Sequence, residues 1–151
     1  MKPLGLMLSF FLLVPPGVDA ATAEPEQVTP AGACGRISVF DVAPRSREIY
    51  RAKLINIDGA LAGPTNARSF RVTPGKHVLE VAEIIDNEQF NDVQLRQRVK
   101  QADRYKTLEV DVKPGTTYLL GAQLVTARRN NIADGSYWEP VIYHQNSEPC
   151  Q

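Results

Sequence analysis

From Gly35 onward, apolar and polar residues alternate in short runs broken by Gly, Pro and Asx residues, the period of half-buried strands. Ile37 to Phe40 predicts a first strand and Pro44-Arg45-Ser46-Arg47 a turn. Tyr50 to Ile57 predicts a second strand, with Leu54, Ile55 and Ile57 giving it an inner and an outer face. Asp58-Gly59 follows at once, a dipeptide favoured where a hairpin needs positive φ. Gly63-Pro64-Thr65-Asn66 breaks the chain again.

An internal echo comes next. The stretch from Phe70 to Leu79, centred on Pro74-Gly75, recurs forty residues later as Val110 to Leu119, centred on Pro114-Gly115. Each copy reads as an alternating strand, a tight turn and a second strand. Pro presets φ at the first corner of a type II turn and Gly supplies the positive φ needed at the second. The copies predict two hairpins and two layers of antiparallel sheet. Tyr137 to Tyr143 predicts a last, aromatic-rich strand, and Pro140 confines it to an edge or a bulge.

Two stretches interrupt this pattern. Residues 86–104 are polar, and Phe90, Val93, Leu95 and Val99 follow neither the strand nor the helix period. They predict either a short helix or, favoured here, extensions of the flanking strands around a mobile turn. Thr126 to Ser136 predicts an irregular loop. With no long helical period, the fold class expected is all-β, a small antiparallel β-sandwich.

Ahead of the strands lies an export signal. Lys2 precedes an apolar run from Leu4 to Val14, and Val18-Asp19-Ala20 offers a cleavage site after residue 20. That run is too short to span about 30 Å of hydrocarbon, which takes roughly 20 residues. The predicted organisation is a signal peptide at 1–20, a flexible leader at 21–33 and one domain at 34–151. The leader is small, polar and Pro-bearing, without the periodicity to pack. Cys34 lies too far beyond the apolar run to carry a lipid anchor, and no later segment suits a membrane helix. The expected location is the periplasm or the exterior.

The chain has 17 basic and 17 acidic residues, and the signal removes one of each sign. No block of like charge appears, which argues against nucleic acid or an anionic membrane as partner. Its two cysteines, Cys34 and Cys150, bracket the domain. In an oxidising compartment they are expected to form one disulfide clamping its ends. Closing a loop of about 117 residues stabilises by on the order of 4–5 kcal/mol, less any native strain. Redox-active pairs are usually close in sequence, and these are remote.

The segment from Ala52 to Val81, with Asp58-Gly59, Gly63 and Thr73-Pro74-Gly75-Lys76-His77-Val78, resembles PEGA-type domains. These are small β-domains of bacterial envelope and surface proteins. The later Val112-Lys113-Pro114-Gly115-Thr116-Thr117-Tyr118-Leu119 is similar to a strand pair of uncharacterised bacterial envelope proteins built in the same way. The resemblance covers close to half of the chain and implies a PEGA-like or prealbumin-like sandwich in the cell envelope, with no catalytic residues to carry over. The Pro-x-Gly-Ala that opens a typical PEGA unit is absent.

Catalytic signatures are sparse. The two histidines, His77 and His144, lack the close spacing of a zinc pair, although Asp58 or Glu80 would complete a ligand set with them. No serine sits in a Gly-x-Ser-x-Gly elbow. Asp86 and Glu88 flank a loop in the manner of solvated acids, and no phosphate-cradling glycine loop occurs. No cofactor or metal is expected. Tyr137, Trp138 and Tyr143 beside Arg128-Arg129 offer aromatic faces and guanidinium groups that stack on sugars or peptides, or else they fill the core.

The expected role is therefore a non-enzymatic binding or accessory module recognising an envelope protein or glycan, with Arg128, Arg129, Tyr137 and Trp138 as its contacts. One alternative is a metal-dependent or hydrolytic enzyme using His77 or His144. Another is a structural or inhibitory protein that caps a partner's sheet edge through Pro140 and residues 86–104.

Overall fold

The computed structural model describes residues 33–39, 42–101 and 104–148. The expected signal peptide, the leader apart from Ala33, Phe40 of the expected first strand, and Cys150 lie outside the described residues. Among the described residues eight strands are formed: β1 (Gly35–Ser38), β2 (Ile49–Ile57), β3 (Ala60–Leu61), β4 (Ser69–Val72), β5 (Gly75–Ile84), β6 (Tyr105–Val112), β7 (Thr116–Leu124) and β8 (Trp138–Ser147). One α-helix, α1 (Asp92–Lys100), interrupts them between β5 and β6. The fold is mainly β, and its strand path β4-β1-β7-β2-β5-β6 does not close on itself.

β7 is the organising strand. β8 pairs along its full length on one side, so β1 and β2 share the other. β1 pairs with Thr117 to Leu119, whereas the first two residues of β2 pair with Ala122 and Gln123. Gly121 makes that junction possible: a β-carbon there would come within 2.7 Å of Ile49 Cγ2 and 3.1 Å of the Tyr50 carbonyl. Past the junction β2 leaves β7 and pairs with β5, which in turn pairs with β6. Hence β1, β4, β7 and β8 form one group of strands, β3, β5 and β6 a second, and β2 belongs to both.

Both Pro-Gly turns adopt positive φ at glycine, 128° at Gly75 and 62° at Gly115. Neither closes a hairpin, contrary to expectation. β4 pairs with β1 rather than β5, and β6 pairs with β5 rather than β7. Each turn instead carries the chain from one strand group to the other. Tyr118 braces the second turn, its hydroxyl donating to the Asp111 carbonyl at 3.0 Å and accepting from the Lys113 amide at 2.9 Å. Asp58 and Gly59 do turn a hairpin, at φ 51° and 79°, joining β2 to β3.

The pairing is not wholly antiparallel: β1 runs parallel to β7. Long connections separate these strands in sequence, and parallel pairs require such crossovers. Pro140 lies in β8, whose pairings among the described residues are with β7 alone, and a register shift opposite Leu119/Leu120 skips Tyr143. The edge position and the irregularity both match what proline allows.

One apolar cluster contains side chains from both strand groups, among them Ile37, Phe70, Tyr118 and Leu120 with Leu54, Leu79, Val81 and Val112. Tyr137 and Trp138 belong to it, each only 1% exposed.

Candidate functional site

Residues 86–104 correct the sequence reading most. In place of the favoured strand extensions, and in keeping with the short-helix alternative, the described residues form a 3₁₀ turn over Asn87–Gln89 and then α1. Asn91 caps the helix reciprocally: its side chain accepts from the Gln94 amide and the Gln94 side chain accepts from the Asn91 amide, both at 2.9 Å. Such a box satisfies two orphan donors of the first turn. Asn91-x-x-Gln94 was the signal available in the sequence. It was masked because the helix inverts the usual pattern. Gln94 is buried and donates to Asn130 Oδ1 at 3.0 Å, whereas Val93 and Val99 are exposed.

Glu83 and Arg98 fasten α1 to the sheet. Glu83 ends the inward row of β5 after Leu79 and Val81, where only 11% of its side chain is exposed. Arg98 donates to its Oε1 from Nη2 at 2.5 Å and from Nε at 3.2 Å. Tyr137 donates to the same oxygen at 2.8 Å, and the Ile85 amide donates to Oε2 at 2.6 Å. Arg98 also reaches the Ile85 carbonyl and Asn87 Oδ1, and it stacks 4.2 Å from the centroid of Phe90, which meets Tyr137 edge-on. Burial pushes the Tyr137 phenol well above its ordinary value, and the Glu83 carboxylate adds to this while Arg98 opposes it.

Three of the four residues expected to form a binding surface, Arg129, Tyr137 and Trp138, are taken up by this scaffold. Tyr137 and Trp138 are buried because large aromatics carry the greatest gain on leaving water. Lys106 covers the Trp138 ring and donates to its carbonyl at 2.6 Å. Arg129 donates three hydrogen bonds to Gln89, two of them to its backbone carbonyl, tying the 126–136 loop to the 3₁₀ turn before α1. Arg128 pairs on the surface with Glu139.

Of the two histidines, His144 is exposed on β8 opposite Leu119. His77 faces acceptors with both ring nitrogens, Nδ1 at 2.7 Å from Asp58 Oδ2 and Nε2 at 2.8 Å from the Thr73 carbonyl. No nitrogen is left to ligate a metal, so His77 ties the β2–β3 hairpin to the first Pro-Gly turn. Among the described residues no three His, Cys, Asp or Glu side chains group as a metal site. Burial disfavours the imidazolium, but its bonds to Asp58 and Thr73 outweigh that and raise the His77 pKa. The Val78 amide and then His77 lower the Asp58 pKa.

A concavity of about 490 Å³ lies between α1 and strands β2, β5 and β6. Lys53, Ala82 and Tyr105 stand abreast on three adjacent strands, since Lys53 pairs with Ala82 and Ala82 with Tyr105. The short Ala82 side chain leaves a slot between the two long ones. Leu95, Val99, Arg98 and Arg104 form the helix end of the groove. Its volume falls in the range of small-ligand pockets.

Two predictions follow from these contacts. Arg98→Ala strands a nearly buried carboxylate and costs about 3 kcal/mol, seen as a lower urea midpoint at unchanged slope, while Arg98→Lys costs less. A loss below roughly 1 kcal/mol would mean that the pair does not anchor the helix. For His77 the folded pKa is raised, so its contribution is complete below the unfolded value of 6.5 and fades as pH rises through the folded one. The penalty of His77→Gln in urea unfolding is therefore larger at about pH 5.5 than at about pH 8.5. Equal penalties would show a ring that stays neutral throughout.

No protein-family model, characterised protein or solved structure matches the chain, and the functional reading rests on its own geometry.

Proposed function

We propose that the chain is an exported, non-enzymatic binding module of the bacterial envelope, a PEGA-like β-sandwich that takes its ligand in the groove above Ala82. The observation that carries this reading is the row Lys53–Ala82–Tyr105 beneath α1. It is a concave, partly apolar surface on strands whose opposite face is core, the arrangement expected of a pre-formed site. Tyr105 is half exposed there, and Lys53 has no ion-pair or hydrogen-bond partner among the described residues. The export signal supplies the compartment, and the mixing of both strand groups in one apolar cluster supports the two-layered arrangement.

The same reading includes a disulfide between Cys34 and Cys150. Gly115 supports it from the sheet: its amide donates to the Cys34 carbonyl and its carbonyl accepts from the Glu148 amide, both at 2.8 Å. Cys34, the residue before β1, and Glu148, two residues before Cys150, are thus bonded to the same glycine. Peptide mapping of exported protein without reductant should recover the two cysteines in one linked pair. Alkylation of both would remove the clamp from the proposal.

Ala82→Phe tests the groove. The new ring fills the slot on the outer face, so stability changes by less than about 1 kcal/mol. Capture of the envelope component retained by the unmodified protein should fall at least about tenfold. Undiminished capture by a folded Ala82→Phe protein would place recognition elsewhere.

A further inference from the structure

We infer that the groove binds a small amphiphilic anion: a flat or extended apolar body ending in a single carboxylate. The inference rests on the groove being the binding site and names the chemistry that it selects.

Charge is the first reason. Three cations, Lys53, Arg98 and Arg104, line the groove against one carboxylate, Glu83. That carboxylate is already spent, with Oε1 taking Arg98 and Tyr137 and Oε2 taking the Ile85 amide. Arg98 and Glu83 therefore cancel below the floor, and the net field at the mouth belongs to Lys53 and Arg104. Arg104 is held in place by one bond, Nη2 to the Val99 carbonyl at 2.7 Å, which satisfies an orphan acceptor in the last turn of α1 and leaves its other donors available. Lys53 adds a compact ammonium on an exposed strand position. One ammonium and part of one guanidinium match a single negative group.

Shape is the second. At 4.7–4.9 Å per strand, the backbones of Lys53 and Tyr105 stand roughly 9–10 Å apart with only a methyl group between them. Such a slot admits the thickness of a ring or an acyl chain. Tyr105, Ile55, Leu95 and Val99 offer it apolar contact, and Val99 is 72% exposed. A purely hydrophilic anion would leave these side chains wet, and a neutral apolar molecule would leave the cations unmatched.

The experiment titrates the full exported domain with 2-naphthoate, with the neutral 2-naphthalenemethanol and with acetate, following backbone amide shifts by NMR. The expected result is saturable binding of naphthoate with shifts centred on Lys53, Ala82 and Tyr105. The alcohol should bind at least tenfold more weakly, acetate should not saturate, and Lys53→Gln should reduce naphthoate to the level of the alcohol. Equal binding of naphthoate and alcohol, or shifts confined to another face, would overturn the inference. If naphthoate fails while Ala82→Phe still abolishes envelope capture, the groove stands and the anion class falls. If neither ligand binding nor capture responds to Ala82→Phe, the groove reading falls as well.

Discussion

A single carboxylate oxygen holds this molecule's distinctive half together. Glu83 Oε1 accepts two hydrogen bonds from Arg98 and one from Tyr137, joining β5, α1 and the residue just before β8. A carboxylate this buried is tolerated only when paired and bonded, and removing either partner leaves the other costly. The helix has little else to hold it. Its buried residue is Gln94, two of its valines face outward, and its apolar attachment is the half-buried Leu95. A nine-residue helix is marginal in isolation, so tertiary contacts must decide where and whether it forms. The Glu83–Arg98 pair and the bond from Gln94 to Asn130 are those contacts.

Much of the β framework could be read from local chemistry. The alternation in β2, β5 and β6 marks the inward positions, and Asp58-Gly59 turns a hairpin where its left-handed preference demands one. Turn chemistry fixes the local corner but carries no information about which strands lie either side of it. Pro74-Gly75 and Pro114-Gly115 adopt the expected positive φ and yet serve as crossings between strand groups. That distinction depends on partners more than thirty residues away, such as Val72 with Gly35 and Val112 with Gly75.

The helix was legible only as the less favoured alternative, and the site not at all, for a different reason. Hydrophobic period presumes that apolar side chains point inward, and α1 reverses this by burying an amide and exposing Val93 and Val99. The aromatic and arginine cluster near the C-terminus was conspicuous because such residues suit recognition, but the same bulk and donor capacity suit scaffolding. Tyr137 and Trp138 entered the core and Arg129 stapled two loops. The groove announces itself through none of these. Its defining residue is an alanine, which signals nothing in one dimension and acquires meaning only between Lys53 and Tyr105.

Anchor and groove are also linked by strand parity. Successive side chains on a strand point to opposite faces, so placing Glu83 inward places Ala82 outward. The arginine that neutralises Glu83 comes from α1, and the same helix contributes Leu95 and Val99 to the groove. A register slip of one residue in β5 would therefore expose the carboxylate, bury the floor and detach the helix together. The inward charge keeps that register unambiguous at the end of β5, beyond the apolar positions Leu79 and Val81 that fix it further back. The nearly buried ion pair thus sets which face of the strand lines the groove, and its value to the protein lies as much in that specification as in stability.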